Sequence, residues 1–189
     1  MAPKTIMPVR PEKEIDFDHL QLEDDGTFPN NPELALLYYP GAVIPQQPDP
    51  AATFEVLFEA HGWVHSWRDS IYDFHHYHST AHEVLGIYQG QAQVRFGGEK
   101  SGITIPVRTG DVVVIPAGVS HKNLGSSNLG VVGAYPRGQQ YDMNYGKAGE
   151  RPKADYRITA VAMPQEDPLY GPEGPLVRLW VEGEYERME

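Results

Sequence analysis

The apolar positions of this chain fall mostly in short runs. From Trp63 onward strand-like stretches are separated by Gly or Pro roughly every ten residues. They cover Ile71 to His78, Glu83 to Tyr88, Gln91 to Phe96, Ile103 to Arg108, Asp111 to Ile115 and Gly130 to Tyr135. In Gln91 to Phe96 the alternation is clean: Ala92, Val94 and Phe96 share one face, and Gln91, Gln93 and Arg95 the other, as a half-buried strand requires. Helical periodicity appears once. Asp49 stands as N-cap, Pro50 occupies the first helical position, Phe54, Leu57 and Phe58 form one apolar face, and Gly62 stops the run.

This pattern predicts an all-β sandwich or barrel with one short helix on one side of the sheet. Before it, residues 1–50 are punctuated by nine prolines and read as extended, with Leu34 to Tyr39 as a strand and no helix. After Tyr135 the chain is Gly/Pro-rich to about Pro175 and closes with the apolar stretch Leu176 to Val181 and a charged tail. We read residues 1–189 as a single domain: an N-terminal arm and helix (1–62), a barrel core (63–135) and a C-terminal wrap (136–189). The 19 glycines and 17 prolines agree with many short strands, since the two together usually make up roughly 12% of a chain.

The formal charge of −11 makes a nucleic acid or an anionic membrane surface a poor partner. With no cysteine, disulfides, thiolate nucleophiles and Cys-ligated metals are excluded. No apolar run has the length of a signal or spanning segment, so the expected location is the cytoplasm.

Four of the eight histidines, His75, His76, His78 and His82, fall next to Glu83. In an extended segment His76 and His78 project to one side, in line with Tyr72 and Phe74, while His75 and Tyr77 point away. Glu83 has the opposite parity, so a turn at Ser79-Thr80-Ala81 is needed to bring its carboxylate to the same side. Glu83, Leu85 and Ile87 then share a face. By the same parity His82 and His75 face outward, with structural or surface roles. A fourth histidine, His121, follows a strand that ends in the turn Pro116-Ala117-Gly118. Three imidazoles and one carboxylate suit a first-row divalent ion, Fe, Mn, Ni or Zn, one per chain.

These two stretches resemble the two motifs of the cupin superfamily. His76-Tyr77-His78, four residues, Glu83, six residues and Gly90 match the first; Gly110, Pro116, Gly118 and His121 match the second. Ser70 stands where the first motif opens on glycine, and Gly125 where the second ends on asparagine. The phrases HHYHSTAHEVLG and VVVIPAGVSHKNLG are similar to the YjlB-type single-domain bacterial cupins. The resemblance implies a double-stranded β-helix, a jelly-roll barrel with a metal held by His76, His78, Glu83 and His121. It also implies a homodimer, to which the apolar content of the two arms adds weight.

Four protein ligands leave two positions of an octahedral ion open, enough for a bidentate substrate or a substrate with dioxygen. The expectation is a mononuclear metalloenzyme acting on a small molecule. With iron its chemistry is dioxygenase-like; with manganese, zinc or nickel it is isomerase- or decarboxylase-like. Tyr72 is the candidate catalytic proton donor. The alternative is a non-catalytic small-molecule binder or sensor, and a storage role is a third class. Tyr72, Phe74, Leu85, Ile87, Val94 and Phe96 are expected to line the barrel. Arg95 and Arg108 are candidates for holding a substrate carboxylate, and Arg95, on the polar face of its strand, is not expected to do so.

Overall fold

Alternating strands with one apolar face must pair and curl to bury it, and the computed structural model shows how. It describes residues 7–184, so the ends of both arms lie outside the described residues. Seven strands form one antiparallel sheet: β1 (Asp18–Leu20), β2 (Leu36–Tyr39), β3 (Trp63–Asp69), β4 (Glu83–Phe96), β5 (Ile103–Arg108), β6 (Val112–Ile115) and β7 (His121–Pro136). The order is β1-β2-β6-β4-β7-β3, with β5 pairing β4 beyond β6. The architecture is mostly β, as expected. Among the described residues no helix is long and apolar enough to cross a membrane.

The strand expected at Glu83 to Tyr88 and the one at Gln91 to Phe96 are a single strand. Its pairing with β7 shifts register between Ile87 and Gln91. A bulge adds one residue and reverses the parity of all that follows. Leu85 and Ile87 before it, and Ala92, Val94 and Phe96 after it, therefore all reach the same inner core.

A second core lies on the other face. There α1 (Pro50–Ala60) starts where Asp49 accepts a hydrogen bond from the Ala52 N–H, and buries Phe54 and Phe58 against Val84, Val132 and Ala134. Each buried ring contributes about 1.5–3 kcal/mol by transfer from water. The helix can approach because Gly86 faces it: a β-carbon there would lie 2.2 Å from Phe54 Cδ1.

Several expectations are corrected. Ile71 to His78 is not a strand but an irregular segment with two isolated bridges, His76 to His121 and Tyr77 to Asn144. The strands β1 and β3 were not expected. Strand β3 is interrupted by a register shift between Val64 and Trp67, with His65 at a positive φ of 55°, which breaks the alternation that signals a strand. The wrap contains a short helix, α2 (Lys153–Thr159), and Leu176 to Val181 closes in a π-helical turn at Val177–Val181. Before residue 50 the described helix content is one 3-10 turn, Glu12–Glu14.

Much of the arms' apolar content is used within the chain, though Met7, Tyr156, Met163 and Val181 stay exposed. Leu34, Leu37, Tyr39, Leu176, Leu179 and Trp180 belong to the core under α1. Asp167, fully buried, fastens the wrap to β2: it accepts hydrogen bonds from the Tyr39 hydroxyl and from the Leu169, Tyr170 and Leu176 N–H groups. That buried share of the arms is not available to a dimer interface.

Gly86→Ala should destabilise the fold by about 1–3 kcal/mol through overpacking, lowering the thermal midpoint by roughly 2–4 °C per kcal/mol. An unchanged melting curve would show that the helix has slack the packing denies.

Candidate metal centre

The site forms where the two histidine-bearing stretches meet. His76 N–H donates to the His121 carbonyl (3.3 Å) and His121 N–H to the His76 carbonyl (3.0 Å), while Gly118 N–H donates to the His78 carbonyl (2.8 Å). Gly118, at φ +95°, turns the chain after β6; a β-carbon there would also strike the Asn30 carbonyl at 2.2 Å. His121 thus opens β7 with its ring 4.1 Å from that of His76, centroid to centroid.

His76, His78 and His121 each offer a ring nitrogen within 4.8 Å of the others, and all three are buried. The bend at Ser79-Thr80 then lets β4 begin with Glu83, whose side chain is 2% exposed. Glu83 Oε2 lies 3.3 Å from both His78 Nε2 and His121 Nε2. Asp142 holds this bend by accepting from the Ser79 N–H and hydroxyl. Its backbone carbonyl also faces His78 Nδ1 at 2.6 Å.

The other two rings are held alike: Nδ1 of His76 faces the Phe74 carbonyl at 3.2 Å, and Nδ1 of His121 the Val119 carbonyl at 3.3 Å. Carbonyls only accept, so this network assigns each hydrogen to Nδ1 and leaves Nε2 with a lone pair. The lone pairs of His78 and His121 confront a carboxylate oxygen that has no hydrogen-bond partner of its own. Such an arrangement demands positive charge at its centre, either a proton on a ring or a cation. The site's own electrostatics show the same demand. Burial opposes the charge on Glu83, but His78 and His121 outweigh it and hold its carboxyl well below the usual range. Burial opposes protonation of His78, yet the Glu83 charge raises it; burial and the neighbouring His121 push His76 down to about 3. Backbone carbonyls behind imidazole ligands are the support that metal-binding histidines require. The buried cluster is compatible with a metal ion.

The cluster opens into a cavity of about 280 Å³. Of the residues expected to line it, Leu85 does so within, and Tyr72 only at the mouth, 52% exposed, its ring edge-on to His76 at 5.1 Å between centroids. Phe74 is also exposed and stacks on Tyr72. Ile87, Val94 and Phe96 are buried in the inner core and do not line the cavity. Arg95 spends its guanidinium on the Gly98 and Glu99 carbonyls.

Sequence reasoning missed Tyr135 and Tyr141, and left Trp67 open between packing and ligand contact. The Trp67 indole N–H donates to the Tyr135 hydroxyl at 2.9 Å. Tyr135 faces Glu83, and burial together with that charge keeps its phenol protonated. Trp67 lies over Gly133 of β7, where a β-carbon would fall 2.1 Å from the indole. The available signal was parity along β7, which places Tyr135 on the same face as Gly133 and Val131.

His82 does not face solvent. It is 1% exposed and stacks against Trp180, and its Nδ1 accepts from the Ala117 N–H in the turn before His121. Its role is structural. His75 is largely covered by Phe28 and pairs with Glu99.

A curled antiparallel sheet with a buried histidine cluster at one mouth defines the jelly-roll barrels with metal-type sites, and the comparisons agree. A family model described as Cupin matches residues 74–135. The Bacillus subtilis (strain 168) protein named "Uncharacterized protein YjlB" is 46% identical over 159 residues, spanning 84% of this chain and 93% of that protein. This chain belongs to the cupin superfamily and is YjlB-like within it. Among solved structures it is similar to the 11S globulin of Wrightia tinctoria (20% identical, TM-score 0.35, 42% of this chain and 22% of that one). It is also similar to the 11S allergen of Cocos nucifera (15%, TM-score 0.37, 50% and 31%). The chain thus spans between a fifth and a third of those globulins.

Burial pushes His82 down to about 4 from its ordinary 6.5. The unfolded chain then takes up this proton first, so the ring's contribution is complete above pH 6.5 and is lost as pH falls toward 4. The gap corresponds to about 3 kcal/mol. In urea titrations His82→Gln should be less stable than wild type at pH 7 but lose about 3 kcal/mol less between pH 7 and pH 4. Parallel losses in the two proteins would refute the buried neutral ring.

Proposed function

We propose that this protein is a mononuclear metal-dependent enzyme acting on a small molecule, with dioxygenase-like or isomerase- or decarboxylase-like chemistry. One observation carries the reading. Three ring nitrogens, each set by a carbonyl behind it, converge beside a buried carboxylate, one of whose oxygens has no hydrogen-bond partner, at the base of a cavity.

His76, His78, Glu83 and His121 would hold the ion. When bound, it would supply Lewis acidity and a template for oxygen atoms of the substrate, and with iron a place for dioxygen. The chain's own residues do the rest. Asp142 and the Phe74 and Val119 carbonyls keep the rings in one orientation. Trp67 and Tyr135 close the inner wall and exclude water from one side of Glu83. Tyr72, at the mouth, is the hydroxyl assigned to proton donation, since its ring abuts His76 and its oxygen makes no bond within the described chain.

Elemental analysis of untagged protein should find about one first-row divalent ion per chain, lost in His121→Ala. Oxygen uptake or substrate turnover should then depend on that ion. Protein that is purified empty and refuses added Fe, Mn, Ni and Zn would overturn the reading. Full occupancy with no turnover would move the non-catalytic binder ahead of the enzyme.

A further inference from the structure

The metal reading uses one side of Tyr141, and a second space borders the same residue. Tyr135 and Tyr141 line the cavity beside the histidines and also an open hollow of about 320 Å³, whose other lining residues are His65, Gln139 and Gln140. They are the residues common to both linings, so their stacked rings, 4.9 Å between centroids and 20° between planes, form the divide.

The two halves of that divide are held very differently. Tyr135 is fixed: it is 4% exposed and its hydroxyl accepts from the Trp67 indole N–H. Tyr141 is 52% exposed, and its hydroxyl makes no hydrogen bond among the described residues. Its ring contacts are Tyr135 and the His78 ring, 5.1 Å between centroids. The backbone on either side, however, is pinned. The Gln140 carbonyl accepts from the Thr80 hydroxyl at 2.7 Å, Asp142 holds Ser79, and Asn144 exchanges backbone hydrogen bonds with Tyr77 at 2.9 and 3.0 Å. A fixed backbone carrying an unbonded ring moves by a change of rotamer and not as a loop. Opening it costs one ring stack, roughly a 2- to 12-fold change in population.

The hollow has recognition groups of its own. His65 stands at a positive φ of 55°, inside the register shift between Val64 and Trp67. Bulges re-aim side chains beside active sites, and a non-glycine residue in this conformation carries strain that its surroundings must sustain. His65 and Gln140 are both exposed, and neither the imidazole nor the side-chain amide has a hydrogen-bond partner among the described residues. Gln139 is used at both ends, accepting from the His82 N–H and donating to the Ala162 carbonyl. None of the five lining residues carries a permanent charge. The free groups suit an uncharged hydrogen-bonding end, a hydroxyl or an amide.

Resting on the proposed function for the chemistry at the ion, we propose that the substrate is an extended, two-ended molecule and that Tyr141 is the specificity-determining divide. The Tyr141 ring swings off Tyr135 and lets the far end, bearing a hydroxyl or amide, reach His65 and Gln140.

The test uses zinc-loaded protein, with zinc measured on each sample, and straight-chain hydroxamic acids of increasing length ending in methyl or in hydroxyl. The hydroxamate oxygens hold the ion and the tail reports the walls. By calorimetry, Tyr141→Ala should shift the ratio of long-tail to short-tail affinity by roughly 3- to 10-fold in favour of long tails, with zinc content unchanged. Tyr141→Phe, which keeps the ring, should match wild type. Among long tails a hydroxyl end should bind roughly 2- to 10-fold better than a methyl end. His65→Gly, whose backbone accepts the positive φ without strain, should remove that difference. With zinc bound, a length ratio equal in wild type and Tyr141→Ala, or a hydroxyl preference absent or untouched by His65→Gly, would overturn the inference alone. Protein that refuses zinc, as it refuses the other ions, would overturn the proposed function and the inference with it.

Discussion

Everything in this molecule that concerns chemistry depends on the paired backbone hydrogen bonds between His76 and His121. They join an irregular segment that has no strand pairing of its own to the first residue of β7. By doing so they set two imidazoles 4.1 Å apart, closer than ring packing alone would hold them. The Gly118 bond to the His78 carbonyl and the Ala117 bond to His82 then tie the turn before His121 to the segment carrying the other ligand candidates. Burying such groups is unfavourable unless each polar atom has a partner, and here the backbone supplies most of them.

How much of this was legible in the sequence depended on whether the signal was local. Parity placed His76 and His78 together because it needs only extended backbone, which the segment has even without being a strand. The need for a bend before Glu83 followed from the same parity, but the residue that holds that bend, Asp142, lies in a region of no periodicity. His82 points outward as parity says and takes the structural of its two expected roles, but its burial was not legible. Alternation says which way a side chain points, not what lies there, and the outer side at that position is filled by Trp180 from the far end of the chain. The split of β4 into two expected strands shows the opposite case. Gly90 looked like an interruption, yet the bulge beside it preserves one strand and brings both halves of its apolar pattern to the same core.

The net charge of −11 described the surface and said nothing of the cavity, where charge is a matter of pairing. Arg68 illustrates the difference. It is a cation in composition and lies among the lining residues, but Asp49, the cap of α1, and Glu55, in the middle of that helix, accept from its guanidinium. The helix that covers the outer core therefore also carries the carboxylates that pair this arginine. That coupling was invisible in the sequence because Asp49 read only as a helix cap.

Trp67 rests on Gly133 so closely that any substituent there would have to lift the indole, and that indole is one wall of the cavity. Gly133 does not line the cavity itself. The dimensions of the chamber are in this sense set from behind its wall, by an atom that is missing. A chain that kept every group around the histidines but carried alanine at this position would hold the same chemistry in a smaller room, so relatives with identical linings need not admit the same guests.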